Sequence, residues 1–189
     1  MRPIAPIECD ENLRLLPCHP PHHSVILEAM NESADEIYQA MPWLEIEEPL
    51  PSQVEHYLWD VQRYGEGGLS YHWAIISSGE FAGLIALDHV STLIVGHWNL
   101  GYWIRRSCQR KRLASQSIDG VLNWLGRGGL TSVEMAVSRD NIAGVRTAES
   151  AIRRWAGHPL DEQIETKVGG QIVSHDCWLI PRIPLGDSQ

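Results

Sequence analysis

Phenylalanine is almost missing from this chain of 189 residues, where one Phe stands against eight Trp and five Tyr. A core built on tryptophan requires no special function. Cysteine is scarce as well: Cys9, Cys18, Cys108 and Cys177 lie far apart, with no CxxC pair and no spacing that suits a zinc site or a disulfide framework. Reduced thiols, a cytoplasmic location and no metal are therefore expected. Long apolar runs are absent too. No segment approaches the roughly 20 apolar residues of a membrane-spanning helix, and Met1 to Asn12 has no apolar core behind a basic start. Neither secretion nor a membrane partner is expected. Positive charge is also short. Fifteen basic against 24 acidic side chains give a formal charge of -9, the wrong sign for a nucleic-acid partner and the right one for a cationic or amine-bearing substrate. There is no internal repeat and no low-complexity tract. What is present, 43% hydrophobic and 21% charged residues, is the composition of one globular domain spanning 1–189.

Periodicity orders the chain. Asn12 to Leu16 reads as a strand stopped by Pro17, and His22 to Met30 has apolar residues at helical spacing. Glu36 to Met41 reads as a second short helix closed by Pro42. Ser52 to Tyr64 reads as a third, with Ser52 and Glu55 as a capping box. From Tyr71 the period changes to that of strands: Tyr71 to Ser77, Phe81 to His89 and Leu93 to Ile104 predict an antiparallel meander with a polar gap near Ser91. Leu113 to Leu125 predicts a helix stopped by Gly126 and the Gly128-Gly129 pair. Thr131 to Val137 returns to strand. Ile142 to Trp155 predicts a helix capped by Asp140 or Asn141, and Gln163 to Val168 and Ile172 to Ile180 predict strands around a Gly169-Gly170 turn.

The stretch that carries chemistry is Gly101-Tyr102-Trp103-Ile104-Arg105-Arg106-Ser107-Cys108-Gln109-Arg110-Lys111-Arg112-Leu113-Ala114, a strand, a basic turn and a helix start. The first turn of a helix offers unpaired N–H groups and the positive end of the macrodipole, which favour a phosphate. Five cations, Arg105, Arg106, Arg110, Lys111 and Arg112, crowd this turn of an otherwise acidic chain. The same cluster also fits a basic surface turn that binds nothing.

These residues resemble a known family, the GNAT N-acyltransferases, and within it the RimJ/RimL-like ribosomal-protein N-terminal acetyltransferases. Gln109-x-x-Arg112-x-Ala114 is similar to the family's Gln/Arg-x-x-Gly-x-Gly/Ala pyrophosphate loop, and Gly101-Tyr102-Trp103-Ile104 resembles the strand before it. The resemblance extends to Ala40-Met41-Pro42-Trp43, His72-Trp73-Ala74-Ile75, Gly83-Leu84-Ile85, Asp140-Asn141 with Ala148-Glu149, and Gly170 to Trp178, so it covers about residues 12–180. It implies an α/β (α+β) GNAT fold: a mixed, mostly antiparallel sheet of about seven strands with helices on both faces, splayed between the fourth and fifth strands. It implies N-acetyltransfer from acetyl-CoA or another acyl-CoA to a primary amine, either a protein N-terminus or a small amine, and a possible homodimer. The implied cofactor contacts are Trp103, Ile104, Arg105, Gln109, Arg110, Lys111, Arg112, Leu113, Ala114, Ser115 and Asn141.

The sequence departs from the family at telling places. Arg112 replaces the loop's central glycine, and Arg110 stands where glycine is favoured before the lysine. Arg112 either swings outward and strengthens pyrophosphate binding or fills the pocket. Asn99 stands where members often carry a general-base glutamate, Gly144 where serine is common, and Ala148 where a tyrosine acid is found. The catalytic candidates are then Asn99, Asn141 and His97. Histidine is the natural base near neutral pH, and His72 and His97 flank the expected acceptor cleft, although either can be structural. Asn141 contacts the cofactor arm or caps its helix. Trp43 and His72 are substrate-side candidates, and Trp43 and Trp59 otherwise belong to the core. Glu45, Glu47 and Glu48 either attract a cationic acceptor or form a solvated loop. A GNAT fold that has lost turnover and serves as an acyl-CoA-binding or protein-interaction module is the alternative function.

Overall fold

Apolar side chains two apart on Tyr71–Ser77, Glu80–Asp88 and Trp98–Ile104 fill both faces of the meander, which must therefore be covered twice. The computed structural model, which describes residues 3–34, 36–89, 93–126, 131–168 and 170–181, shows both coverings. In chain order the elements are β1 (Ile7–Glu8), β2 (Leu13–Pro17), α1 (His23–Glu32), α2 (Ile37–Ala40), α3 (Leu50–Glu66), β3 (Tyr71–Ser77), β4 (Glu80–Asp88), β5 (Trp98–Ile104), α4 (Leu113–Gly126), β6 (Val133–Ser138), α5 (Ile142–Arg154), β7 (His158–Val168) and β8 (Gln171–Ile180). The strands form one sheet in the order β1-β2-β3-β4-β5-β6-β8-β7. It has one strand more than expected, because Ile7 and Glu8 pair with Leu15 and Arg14.

Strand alternation assigns the faces. Trp73, Ile85, Leu100 and Ile104 pack with α4 and α5, while Ala74, Leu84 and Trp103 pack with α1 and α3. All pairings are antiparallel except β5 with β6. That parallel pairing is brief: Trp98 faces Val133, Asn99 faces Glu134, and beyond these two the strands separate. The sheet therefore splits between the strands that carry Gly101–Ile104 and Met135–Ser138, which is the splay implied by the family resemblance.

Glycine matters at one crossing. A Cβ on Gly83 would lie 2.0 Å from the Trp103 carbonyl oxygen, so only glycine lets β4 close against β5 there. One residue earlier, the register shift between Ile75 and Ile76 leaves Ala82 as the bulged residue of β4, and its carbonyl accepts the Arg105 N–H at 2.9 Å.

Three expectations need correction. The strand predicted over Leu93 to Ile104 begins only at Trp98. Glu134, fully buried on β6, draws the N–H groups of Ile94, Val95 and Gly96 to its carboxylate at 3.0–3.2 Å and holds them as a loop. The capping box at Ser52 does not form, since α3 starts at Leu50 behind Pro49, with Pro51 in its first turn and Ser52 already helical. Trp59 is not core; it lies on the outer side of α3, 57% exposed. Gly126 is the last described residue of α4, and the Ser91 gap, the Gly128-Gly129 pair and Gly169 lie outside the described residues.

Candidate active site

The basic turn has the backbone of a glycine-rich loop without its glycines. Arg110 and Arg112 adopt positive φ, 62° and 64°, whereas Lys111 between them does not. That conformation costs an L-residue about 1–2 kcal/mol, so the chain carries strain here to keep the loop shape. Alternating φ of this kind turns successive N–H groups toward one concavity, which suits an anion. Among the described residues, no protein group accepts the N–H of Arg110, Lys111, Arg112, Leu113, Ala114 or Ser115; the first amide to be taken is that of Gln116, by the Arg112 carbonyl at 3.1 Å. The Gln109 side-chain amide donates to the Ile104 carbonyl at 3.2 Å and ties the turn to the end of β5.

The five cations divide into two sets. Arg105 and Arg106 turn toward the helices that precede the sheet. The Arg105 guanidinium binds Glu32 and, at 3.2 Å, Glu28, and Arg106 binds Glu36 at 3.1 Å. Glu32 also accepts the Ser107 N–H at 2.7 Å, and Arg105 and this N–H hold its carboxyl below the usual glutamate range. Arg105, expected beside the cofactor, is thus engaged in fastening α1 to the base of the turn. Arg110, Lys111 and Arg112 have exposed side chains. Arg112 is therefore not packed into the protein interior.

From the turn, the unpaired edge of β5 over Gly101–Ile104 lines the cleft toward its closed end at Asn99 and Glu134. Trp103 and Ile104 lie buried on this strand. On the far wall, Asn141 caps α5, its Oδ1 accepting the Gly144 N–H at 2.9 Å, while its side-chain N–H2 group has no partner among the described residues. A Cβ on Gly144 would meet the Asn141 side chain at 2.6 Å, so this cap requires the glycine found here in place of the family's serine. Burial raises the Tyr102 phenol above its ordinary value, and Thr147 of α5 partly offsets this by hydrogen bonding.

On the α3 face the structure assembles a polar cluster that only partly matches expectation. His72 of β3 meets Asp88 of β4 through Nε2 at 2.7 Å and the Tyr57 hydroxyl through Nδ1 at 3.1 Å. Trp43 stacks on Tyr57, with ring centroids 4.5 Å apart and planes 3° apart. Burial pushes the Tyr57 phenol well above its ordinary value, and the adjacent Cys18 thiol is pushed up to about 12 for the same reason. Asp88 is the cross-strand partner of Asn99, at the closed end of the cleft. Trp43, His72 and Asn99 are therefore drawn to one face. His97 is not, because it precedes β5 beyond the cleft's closed end, and its Nδ1 is engaged by the Ser132 hydroxyl at 2.7 Å. The acidic lip is a built loop: the Gln53 amide bonds the backbone of Glu45 and Glu48 at 2.7–2.9 Å and leaves the carboxylates exposed.

Tyr57, Asp88, Glu32 and Glu134 did not stand out in sequence. Asp88 was hidden by a bulge: counting from the Ser78-Gly79 turn sets His72 against Ile85, and only the extra residue Ala82 shifts His72 to Ala86 and puts Asp88 diagonally beside it. The other three depend on contacts between distant segments.

Residues 12–151 match the profile of the family described as "Acetyltransferase (GNAT) domain". The sequence matches no curated protein. Among solved structures, the chain is similar to RimL, the ribosomal L7/L12 alpha-N-protein acetyltransferase, in complex with coenzyme A, at 17% identity, TM-score 0.80, and 97% and 100% coverage of the two chains. It is similar to a Salmonella typhimurium acetyl transferase that modifies the N-terminal serine of 50S ribosomal subunit protein L7/L12, at 14% identity, TM-score 0.77, and 93% and 98% coverage. A third likeness is to the microcin C7 self-immunity acetyltransferase MccE in complex with acetyl-CoA and AMP, at 14% identity, TM-score 0.75, and 90% and 93% coverage. At such identities the likeness lies in the fold.

Proposed function

The chain belongs to the GNAT acetyltransferase domain family, and from that premise we propose that it transfers an acetyl or other small acyl group from acyl-CoA to a primary amine, either a protein N-terminus or a small amine. The observation that carries the reading is the set of six unpartnered N–H groups over Arg110–Ser115, flanked by three exposed cations, at the mouth of an open strand edge. Unpaired amides at a helix start are costly unless water or an anion takes them, and a pyrophosphate fits both their number and the local charge.

In this reading Gln109 to Ser115 hold the pyrophosphate. The edge of β5 at Trp103 and Ile104 pairs with the pantetheine arm as an added strand would, and the Asn141 side-chain amide reaches it from the other wall. Acyl-CoA supplies an activated thioester carbonyl. The chain's own residues orient that carbonyl at the closed end of the cleft, exclude water, and receive the amine from the α3 face, past Trp43 and the Glu45–Glu48 lip. The exposed carboxylates of the lip favour a cationic acceptor. Asn99 cannot take a proton near neutral pH and acts by orienting the acceptor.

The exposed Arg112 and the retained loop conformation favour a working site over a degraded one. Four unpaired cysteines fit a reducing cytoplasm. The outer edge of β7, an end strand of the sheet, offers a surface on which two copies can pair, checked by light scattering. The function is tested by calorimetry with acetyl-CoA and a thiol-release assay over peptides with free N-termini and small primary amines. Micromolar binding with thiol release is expected; no binding at millimolar cofactor refutes it.

A further inference from the structure

Resting on the reading above, we propose that the hydrogen-bonded pair His72–Asp88 is the proton acceptor for the incoming amine. The family's usual glutamate position holds Asn99 here, so the proton must go elsewhere, and the cross-strand neighbour of Asn99 is Asp88. The pair stands on the acceptor face. The His72 side chain is 12% exposed and the Asp88 side chain 34%, so the carboxylate is the more accessible member of the pair. Asp88 uses Oδ1 on His72 and its Oδ2 has no protein partner among the described residues, which leaves that oxygen for the amine's N–H.

Behind the imidazole the supply of hydrogen bonds is complete. Tyr57 reaches Nδ1 at 3.1 Å, and its hydroxyl also meets the Cys18 thiol, so Nδ1 has a partner in either protonation state: the phenol donates to neutral imidazole and accepts from imidazolium. Neither Tyr57 nor Cys18 competes as a base, because burial keeps both protonated across the neutral range. The charged and titratable groups facing the imidazole are therefore Asp88 from β4, Tyr57 from α3 and Cys18 beyond the end of β2. The imidazole is thus held between one carboxylate and one hydroxyl.

The step balances. The acceptor's ammonium gives one proton to the His72–Asp88 pair; the neutral nitrogen forms the C–N bond as the thioester C–S bond breaks; the departing thiolate takes the second nitrogen proton and leaves as free CoA. The pair then releases its proton to water. Nothing is oxidised or reduced.

The test compares wild type with His72→Gln, His72→Ala and Asp88→Asn. Acetyl-CoA affinity is measured by calorimetry, and kcat/KM against pH is measured with the best amine of the peptide and small-amine panel. His72→Gln is expected to keep cofactor affinity within twofold, lose at least 50-fold in kcat/KM, and lose the acid limb of the profile. Added imidazole should restore activity to His72→Ala. Asp88→Asn, which removes the carboxylate oxygen offered to the amine, should also lower kcat/KM with cofactor affinity kept within twofold. Provided that the wild type binds acetyl-CoA, the proposal is overturned if His72→Gln turns over within fivefold of wild type on the same limb, if the variant's cofactor affinity falls in parallel with its turnover, or if no amine of the panel is acetylated. Loss of acetyl-CoA binding by the wild type would instead refute the underlying function.

Discussion

Replacing Arg112 with glycine should make the protein more stable and a poorer cofactor binder at the same time. Arg112 sits at φ 64° with an exposed side chain. The left-handed conformation costs an L-residue about 1–2 kcal/mol, and glycine gives back about 0.5–1 kcal/mol of that through its freer unfolded chain. The net gain is about 0.5–1 kcal/mol, which for a domain of this size raises Tm by roughly 1–4 °C. The lost guanidinium–phosphate contact is solvent-screened and worth about 1 kcal/mol, or roughly fivefold in Kd. Three variants separate the terms by calorimetry and thermal denaturation. Arg112→Gly gains stability and loses affinity. Arg112→Ala keeps the strain and loses affinity alike, with Tm near wild type. Arg112→Lys keeps both strain and charge and stays within about twofold in Kd. A fall in Tm for the glycine variant would refute the strain argument. A tenfold gain in its affinity would mean that the arginine obstructs the site, contrary to the proposed phosphate contact.

Three further perturbations follow from the same contacts. Glu134→Gln turns an amide donor toward at least one of the three loop N–H groups that the buried carboxylate now accepts, so stability should drop by about 2–4 kcal/mol, read by urea denaturation. Glu32→Gln loosens the Arg105 and Ser107 contacts that anchor the turn; KM for acetyl-CoA should rise several-fold with kcat little changed. His22 is half-buried, its Nδ1 has no hydrogen-bond partner, and burial followed by the neighbouring His19 lowers its pKa to about 4. The folded state therefore refuses a proton that the unfolded chain takes up below about 6.5. The associated stability is present above that value and is lost as pH falls toward 4. His22→Gln should flatten the decline of stability between those pH values, measured by denaturation at stepped pH.

The elements that can be read in the sequence are those set by local pattern. The meander, α4, and α5 with its Asn141 cap follow from period, turn residues and capping chemistry, and the structure has each. The anion turn was readable for the same reason, since its cations are consecutive in sequence. Elements governed by long-range partners were not. The segment before Trp98 has apolar residues suited to a strand, but a carboxylate 38 to 40 residues away takes its N–H groups. Nothing near Arg105 in sequence says that Glu28 and Glu32 will neutralise it. The relation of His72 to Asp88 depends on the Ala82 bulge, which a count from the hairpin turn misses, and Tyr57 joins them only because α3 packs across β3. Local chemistry thus locates the cofactor turn, and the acceptor side emerges only from packing.

The measurement that bears most directly on the account is an amide NMR titration of the isotopically labelled protein with acetyl-CoA. Saturable shifts of the Arg110 to Ser115 amides, with smaller ones along Gly101 to Ile104 and weakening as salt rises, are the predicted result. Binding that leaves the Arg110 to Ser115 amides unmoved would contradict it.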